Sequence, residues 1–489
     1  MTLAELHRKD EEPGDGVPFY APHEKVYPKS VRGPIRRIKW AILIVCLSLY
    51  YIAPWLRWSR GEGRPDQALL IDMSARRAYF FGLEIWPQEI YYLAGILILA
   101  AVGLFLVTSL FGRVWCGYAC PQTVWTDLFL WAERLIEGDR TQRMRLDQQP
   151  FSVGKLVRKA SKHFIWLLIA AATGGAWIMY FTDAPTLIRD LFTLNATLAE
   201  YFFLGLFTAT TYVLAGWARE QVCTYMCPWP RIQAAMIDEE TFAVTYREWR
   251  GEKRGKHKQG ESWAGRGDCV DCRACVAVCP TGIDIRDGLQ LECIGCGLCI
   301  DACNDIMDRV GRPHGLIAFD THANRVAAQT GAKPKRHYIR LRTLVYAGVL
   351  VLIAAIMLVS LWGRTSFAVN LLADRSPLFV RLSDGSIRDG FTLKIENRTG
   401  ERRAYQVVLT GLPDAELRIA ESEEGTVSTD RGLTLIIDGD AVGTYHAFIQ
   451  APRQPQPEIS IALEIRDVRS GEFARHSAVF RGPNAEGTR

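Results

Sequence analysis

Residues 267–280 read GDCVDCRACVAVCP, and residues 291–304 read LECIGCGLCIDACN. Each stretch is a C-x2-C-x2-C-x3-C comb. The first comprises Cys269, Cys272, Cys275 and Cys279, and the second Cys293, Cys296, Cys299 and Cys303. This is the spacing of bacterial two-cluster ferredoxins, in which the fourth cysteine of each run ligates the other cluster. On that rule one [4Fe–4S] cluster takes Cys269, Cys272, Cys275 and Cys303, and the other takes Cys293, Cys296, Cys299 and Cys279. A zinc site needs only four thiols, usually as two separated C-x2-C hooks, and does not account for eight. One position departs from the pattern, because Asn304 stands where a proline commonly follows the fourth cysteine, as Pro280 does in the first comb.

The remaining thiols are informative by position. Of thirteen cysteines, eight form the combs and four form two C-x3-C-P pairs, Cys116/Cys120 and Cys223/Cys227. Cys46 stands alone in an apolar run, where packing is the ordinary role. Ligand-like clustering with no cysteine after Cys303 argues for reduced, metal-binding thiols rather than a disulfide scaffold.

Five apolar runs reach the roughly 20 residues that a bilayer core requires, at about 38–56, 90–111, 163–181, 198–217 and 343–362. Tyr and Trp gather near their ends. The N-terminus carries no short apolar core with a small-residue cleavage site, so the first run is expected to be an uncleaved anchor. Lys and Arg number eight up to Lys39, nine over 111–162 and one over 182–197. That asymmetry puts the N-terminus, the 111–162 loop and the combs on the cytoplasmic side. The 57–89 loop, with five, is a weak objection. The net charge of +5 is mild and gives no argument for nucleic acid.

Spans two and four end alike, in GRVWCGYACPQTVW and REQVCTYMCPWPRIQ. A span, a basic residue, Cys-x3-Cys-Pro and an amphipathic stretch thus occur twice, and repeats in membrane proteins often build a site where the copies meet. Thiols at i and i+4 share a helix face, while Pro121 and Pro228 suit the first turn of a new helix and place the pairs in a turn instead. Soft thiolates favour Cu(I), zinc or iron–sulfur clusters. The basic, Gly-rich stretch 250–267 reads as a linker. Beyond Trp362 the period changes to two: FTLKIEN and EISIALEIRD alternate apolar with polar, further short strand-like runs surround them, and VRSGEF reads as a hairpin. This pattern predicts an Ig-like β-sandwich without paired cysteines.

The expected fold is therefore multi-domain: an arm over 1–37, a transmembrane domain over 38–250 with spans one to four, a dicluster ferredoxin-like insert over 251–342, a fifth span over 343–362 and an all-β Ig-like domain over 363–489. The order of paired spans with VWCGYACPQTVW and VCTYMCPWPRIQ, a two-cluster comb, a last span and an Ig-like tail resembles the FixG/RdxA/CcoG family of cytochrome c oxidase accessory proteins. The resemblance covers nearly the whole chain. The C-x3-C-P elements alone are shared more widely, with NapH-type membrane polyferredoxins. The resemblance implies a bacterial inner-membrane protein with a periplasmic C-terminal domain, needed for maturation of cbb3-type oxidase. It also implies reduction of Cu(II) to Cu(I) alongside a copper-exporting ATPase. Cys116, Cys120, Cys223 and Cys227 are then the candidate copper and redox thiols. The cofactors are two [4Fe–4S] clusters, with copper as a candidate. The partners are membrane lipid, oxidase subunits or assembly factors, and a cytoplasmic electron donor. A quinol-linked conduit of NapH type and a non-catalytic assembly scaffold are the alternatives.

Overall fold

The computed structural model describes residues 25–61, 64–258, 260–330, 338–420, 426–429, 432–454 and 456–483. The first 24 residues of the expected arm lie outside them. The chain forms two compact units, Met1–Ala355 and Ile356–Arg489.

In the first unit the helices are α1 (Pro34–Ile52), α2 (Tyr91–Phe111), α3 (Val114–Tyr118), α4 (Pro121–Glu137), α5 (Arg140–Gln148), α6 (Val153–Ile178), α7 (Ala184–Phe192) and α8 (Leu198–Thr211). Two π-helical turns, Tyr212–Ala218 and Val222–Met226, carry the chain from α8 to α9 (Trp229–Met236). Then follow α10 (Glu248–Gly251), α11 (Ala274–Val278), α12 (Leu298–Val310), α13 (His322–Gln329) and α14 (Leu341–Trp362), which runs into the second unit. Local signals set many of the ends. Ser152 accepts from the Lys155 amide to start α6, Thr197 and Glu200 form a capping box on α8, and Gly138 ends α4 at φ +88°.

Among the described residues, four helical stretches are long and apolar enough to cross a membrane: Pro34–Trp55, Pro87–Phe111, Leu198–Ala218 and Leu341–Trp362. The run at 163–181, expected as a fifth, falls within α6 and does not join them. The cause is composition: Lys155, Arg158, Lys159, Lys162 and His163 precede the apolar stretch of α6, and Thr173, Gly174 and Gly175 interrupt it. α6 buries Trp166, Ala170, Thr173, Gly174 and Ala176 against protein, and a Cβ on Gly174 would lie 3.0 Å from the Thr208 amide of α8. Small and polar residues that let two helix backbones close up dilute the apolar signal.

The loop before α2 folds into a three-stranded antiparallel sheet, β1 (Leu69–Asp72), β2 (Arg77–Phe80) and β3 (Leu83–Ile85). It sits at the far end of α6, where Gln67 donates to the Met179 carbonyl at 2.6 Å. At the opposite end of the unit, β4 (Ala243–Tyr246) pairs with β5 (Ile317–Asp320). Residues 243–246, grouped with the membrane domain on sequence, are thus tied to the fold of the combs.

The second unit carries β6 (Phe367–Ala373), β7 (Val380–Arg381), β8 (Ile387–Asn397), β9 (Arg403–Thr410), β10 (Glu416–Ile419), β11 (Thr426–Thr429), β12 (Gly432–Ile437), β13 (Val442–Ala451), β14 (Glu458–Asp467) and β15 (Phe473–Arg481). They form two antiparallel sheets, β10-β13-β8-β6 with β7 on β8, and β11-β12-β9-β14-β15. Alternate residues of both sheets, among them Phe391, Leu393, Tyr405, Leu435, Ala447 and Leu463, bury one common cluster. The expected strands at 391–397 and 458–467 fall in β8 and β14, and VRSGEF joins β14 to β15.

Candidate metal centre

The combs fold as two pseudo-equivalent loop–helix units, with α11 inside the first and α12 inside the second. Their different lengths follow from one residue each. Pro280 cannot continue a helix, so α11 stops before Cys279. Asn304 has no such effect, and α12 runs through Cys303 to Val310, with the Asn304 side chain accepting from the Gly315 amide at 3.1 Å.

Two small cavities lie between these units. Cys269, Cys272, Cys275 and Cys303 line the first, together with Ile306, Met307 and Leu316. Cys279, Cys293, Cys296 and Cys299 line the second, with Cys275 at its border and Ile283 and Ile285 alongside. In each cavity three thiols of one comb meet the fourth of the other. Burial pushes Cys293 and Cys303 up to about 12 and Cys275 up to about 11, the neighbouring thiols adding to the rise at Cys293 and Cys303. Thiols so placed become thiolates only when cationic metal takes up their charge. Among the described residues no three His, Cys, Asp or Glu side chains converge on one point as a single ion requires. A mononuclear tetrathiolate with bonds of about 2.3 Å needs sulfurs within about 4 Å of one another. Four thiols spread round a cavity instead suit a polynuclear iron–sulfur cluster.

Both C-x3-C-P pairs adopt one local form. Cys116 lies in α3, and Cys223 in the second π turn. Cys120 and Cys227 are extended (ψ 129° and 122°), each followed by its proline and an amphipathic helix, α4 or α9. The pairs therefore sit at helix junctions rather than along one helix face. Cys116 and Cys223 of the two copies pack against one buried cluster, and burial pushes Cys116 up to about 12, charge on Cys120, Cys223 and Cys227 adding to the rise. The copies interlock as well. The Cys116 thiol donates to the Gln233 side chain of α9 at 3.1 Å, and Gln233 in turn donates to Thr108 of α2.

These thiols are docked on the second comb. Cys116 and Cys223 pack against the buried cluster that holds Ile294, Cys296, Leu298 and Val278. Tyr118 donates to the Cys296 carbonyl at 3.1 Å. Arg113 donates to the carbonyls of Leu291, of Cys293 (2.9 Å) and of Pro230 (2.6 Å), so one guanidinium spans the comb and both repeats. Gly117 is required here, because a Cβ would fall 2.9 Å from the Cys296 Cα. Cys272, by contrast, is the exposed cysteine, on the side of the first cavity. Cys46 lies in α1, outside this cluster.

Several residues that organise the site escaped the sequence reading. Asp301, inside the second comb, accepts from the amides of Ile35 (3.3 Å) and Arg36 (2.8 Å) and so caps α1. Arg36 and Lys39 both pair with buried Asp127 of α4. Arg219 holds a left-handed φ of +39° between the π turns, its guanidinium on the Gly216 carbonyl and 3.0 Å from buried Glu133. Residues 25–33 of the arm are part of the assembly: Lys29 N donates to Ala277 O, and Ser30 binds Asp139. A lone acid within an otherwise apolar comb, and a Gly-Pro-x-Arg start to a span, were the available signals.

Comparison with known sequences gives three family matches: "4Fe-4S binding domain" over 93–138, "4Fe-4S dicluster domain" over 218–322, and "IG-like fold at C-terminal of FixG, putative oxidoreductase" over 357–483. The chain is 48% identical to the nitrogen fixation protein FixG of Rhizobium meliloti, covering 96% of this chain and 95% of that one. It is 49% identical to protein RdxB of Cereibacter sphaeroides (95% and 97% covered) and 48% identical to protein RdxA of the same organism (95% and 99%).

Proposed function

The chain belongs to the FixG/RdxA/RdxB family of membrane-associated iron–sulfur electron-transfer proteins, and from that premise we propose that it reduces Cu(II) to Cu(I) for the maturation of a cbb3-type oxidase. The observation that carries the reading is the packing of Cys116 and Cys223 onto the second comb beside Cys296. Soft ligands for copper lie directly against a one-electron relay.

In this reading Cys269, Cys272, Cys275 and Cys303 hold one [4Fe–4S] cluster and Cys279, Cys293, Cys296 and Cys299 the other. When bound, these groups supply one-electron oxidation and reduction. The rest falls to the chain. Exposed Cys272 marks the side on which a cytoplasmic donor approaches. Tyr118 and Arg113 hold the C-x3-C-P junction against the second comb, and Ile306, Met307, Ile283 and Ile285 keep water from the cavities. Cu(II) taken up by a pair of the thiols of Cys116, Cys120, Cys223 and Cys227 would gain one electron and become Cu(I), which soft thiolates hold, so that its release needs an acceptor that binds Cu(I) more tightly.

The topology proposed is five crossings, with the combs cytoplasmic and the Ig-like sandwich periplasmic. α6, at 26 residues, is about 39 Å long, which exceeds a bilayer core of about 30 Å. Four of the five cations that weighed against this orientation are held within the fold: Arg57 pairs with Asp66 and Asp183, Arg64 and Arg77 with Glu84, and Arg60 binds four backbone carbonyls. Oxidase assembly factors and a copper-exporting ATPase are the partners this role requires. The test is the four-serine variant of the C-x3-C-P thiols. Copper reduction, followed as a Cu(I)–bathocuproine complex, should be lost while iron and sulfide contents stay at wild-type values. Undiminished reduction would remove copper from the account.

A further inference from the structure

α1 buries a lysine near its start: Lys39 is 3% exposed. Among the described residues its ammonium donates no hydrogen bond. Its carboxylate neighbour, Asp127, lies 3.6 Å away, and Arg36 already bonds both oxygens of that carboxylate, at 3.0 and 2.7 Å. One acid therefore faces two buried cations, and one positive charge is left over. Taking such a charge out of water is costly unless an opposite charge offsets it.

The second comb lies where that offset is needed. Lys39 lines a small cavity with Ile294 and Leu298, the residues two before and two after Cys296, and with Cys223. Cys296 is itself buried. Burial raises its thiol, and charge on Lys39 is the largest influence acting the other way. Arg113 approaches the same comb from α3. It bonds to the Cys293 carbonyl and lies 3.2 Å from where a Cβ on Gly295 would stand, and it forms no ion pair with a carboxylate among the described residues. The first comb is served differently. Arg286 lines its cavity, but Asp284 and Asp271 both accept from that guanidinium at 2.6 Å, and Cys272 is open to water. Four thiolates outweigh the charge of an iron–sulfur core, and reduction adds one more negative charge. In a buried site that charge is costly, and a fixed cation beside it offsets the cost.

We propose that Lys39, with Arg113, raises the reduction potential of the centre held by the second comb against the effect of its burial, and so favours the electron on the centre that adjoins the C-x3-C-P thiols. Both are positioning residues, acting through the centre and not on copper. The proposal rests on the iron–sulfur reading above and adds to it what makes the buried centre reducible.

The full chain, purified anaerobically with its clusters into lipid nanodiscs, is titrated with dithionite in the presence of redox mediators and followed by EPR. Lys39→Met keeps the length of the side chain and removes its charge. It should lower the reduced-to-oxidised ratio of the second centre about tenfold at a fixed potential, a fall of about 59 mV for one electron. Lys39→Arg should keep the wild-type value. Asp127→Asn leaves the same cations without their carboxylate and should move the second centre upward. The first centre, identified as the signal lost in Cys269→Ser, should move by less than about a third of either shift. Damage to packing alone would move Lys39→Met and Asp127→Asn in the same direction. That result, unmoved potentials, or equal movement of both centres would overturn the proposal. If Lys39→Met holds no iron, the sign of the shift in Asp127→Asn decides. Wild-type protein without iron and sulfide would overturn the iron–sulfur reading instead.

Discussion

Tyr118 donates its phenolic hydrogen to the carbonyl of Cys296 across 3.1 Å, joining the first C-x3-C-P junction to the second comb. Next to it Gly117 lets the two backbones touch. The contact turns two motifs more than 170 residues apart into one site.

Removing that contact should separate binding from transfer. Tyr118→Phe loses one hydrogen bond, worth about 1 kcal/mol. Gly117→Ala drives a methyl into the Cys296 backbone and should cost about 1–3 kcal/mol. Both variants should keep their iron and slow copper reduction, Gly117→Ala the more. Single-turnover reduction by dithionite-reduced protein measures this.

The crossed ligand sets predict which cysteines act together. Cys303→Ser and Cys269→Ser should deplete the same centre although they lie in different combs, each leaving about half the iron. Cys279→Ser and Cys293→Ser should deplete the other. EPR of the four reduced variants should give two pairs of matching spectra, grouped across the combs and not within them.

Asp301 caps α1 from the second comb, so Asp301→Ala should cost about 1–2 kcal/mol and loosen the first span from the combs. Asp301→Asn keeps an acceptor and should recover most of it. Thermal unfolding of the anaerobic, cluster-loaded protein reads the difference.

In the second unit Asp389 is 2% exposed and burial pushes its carboxyl up to about 6, against the pull of the Arg481 amide. Between pH about 4 and 6 the folded chain keeps a proton the unfolded chain has lost, so stability falls as pH rises through that window. Asp389→Asn should raise the stability of this unit at pH 7.5 by about 1–2 kcal/mol after allowance for solvent screening, and leave it unchanged at pH 4. Scanning fluorimetry at the two pH values checks both statements.

What could be read in the residues was the local chemistry. The comb spacing marked eight thiols as two ligand sets, because a loop of two residues between cysteines keeps three of each comb close together, while the crossing of the fourth cysteine came from the two-cluster ferredoxin pattern. The period-two runs anticipated β8 and β14, because successive side chains of a strand face opposite sides. Long-range pairings were not legible. Arg113 and Arg219 precede the two C-x3-C-P copies in equivalent places, yet one reaches three carbonyls across the repeats and the other a buried Glu133. The run at 163–181 was legible as a helix but its packing was not, since α6 meets protein along much of its length and its glycines serve that contact. The small sheet over 69–85 was hidden by short strands among charged residues, whose pairing the side chains of Arg60 and Arg77 secure.

The central claim is that the eight comb cysteines hold iron and sulfide in two centres beside soft thiols. Anaerobic purification with metal and sulfide analysis, followed by redox-titrated EPR, tests it most directly. The account predicts about eight irons and eight sulfides per chain and two one-electron signals. Zinc without sulfide, or iron for a single centre, would contradict it.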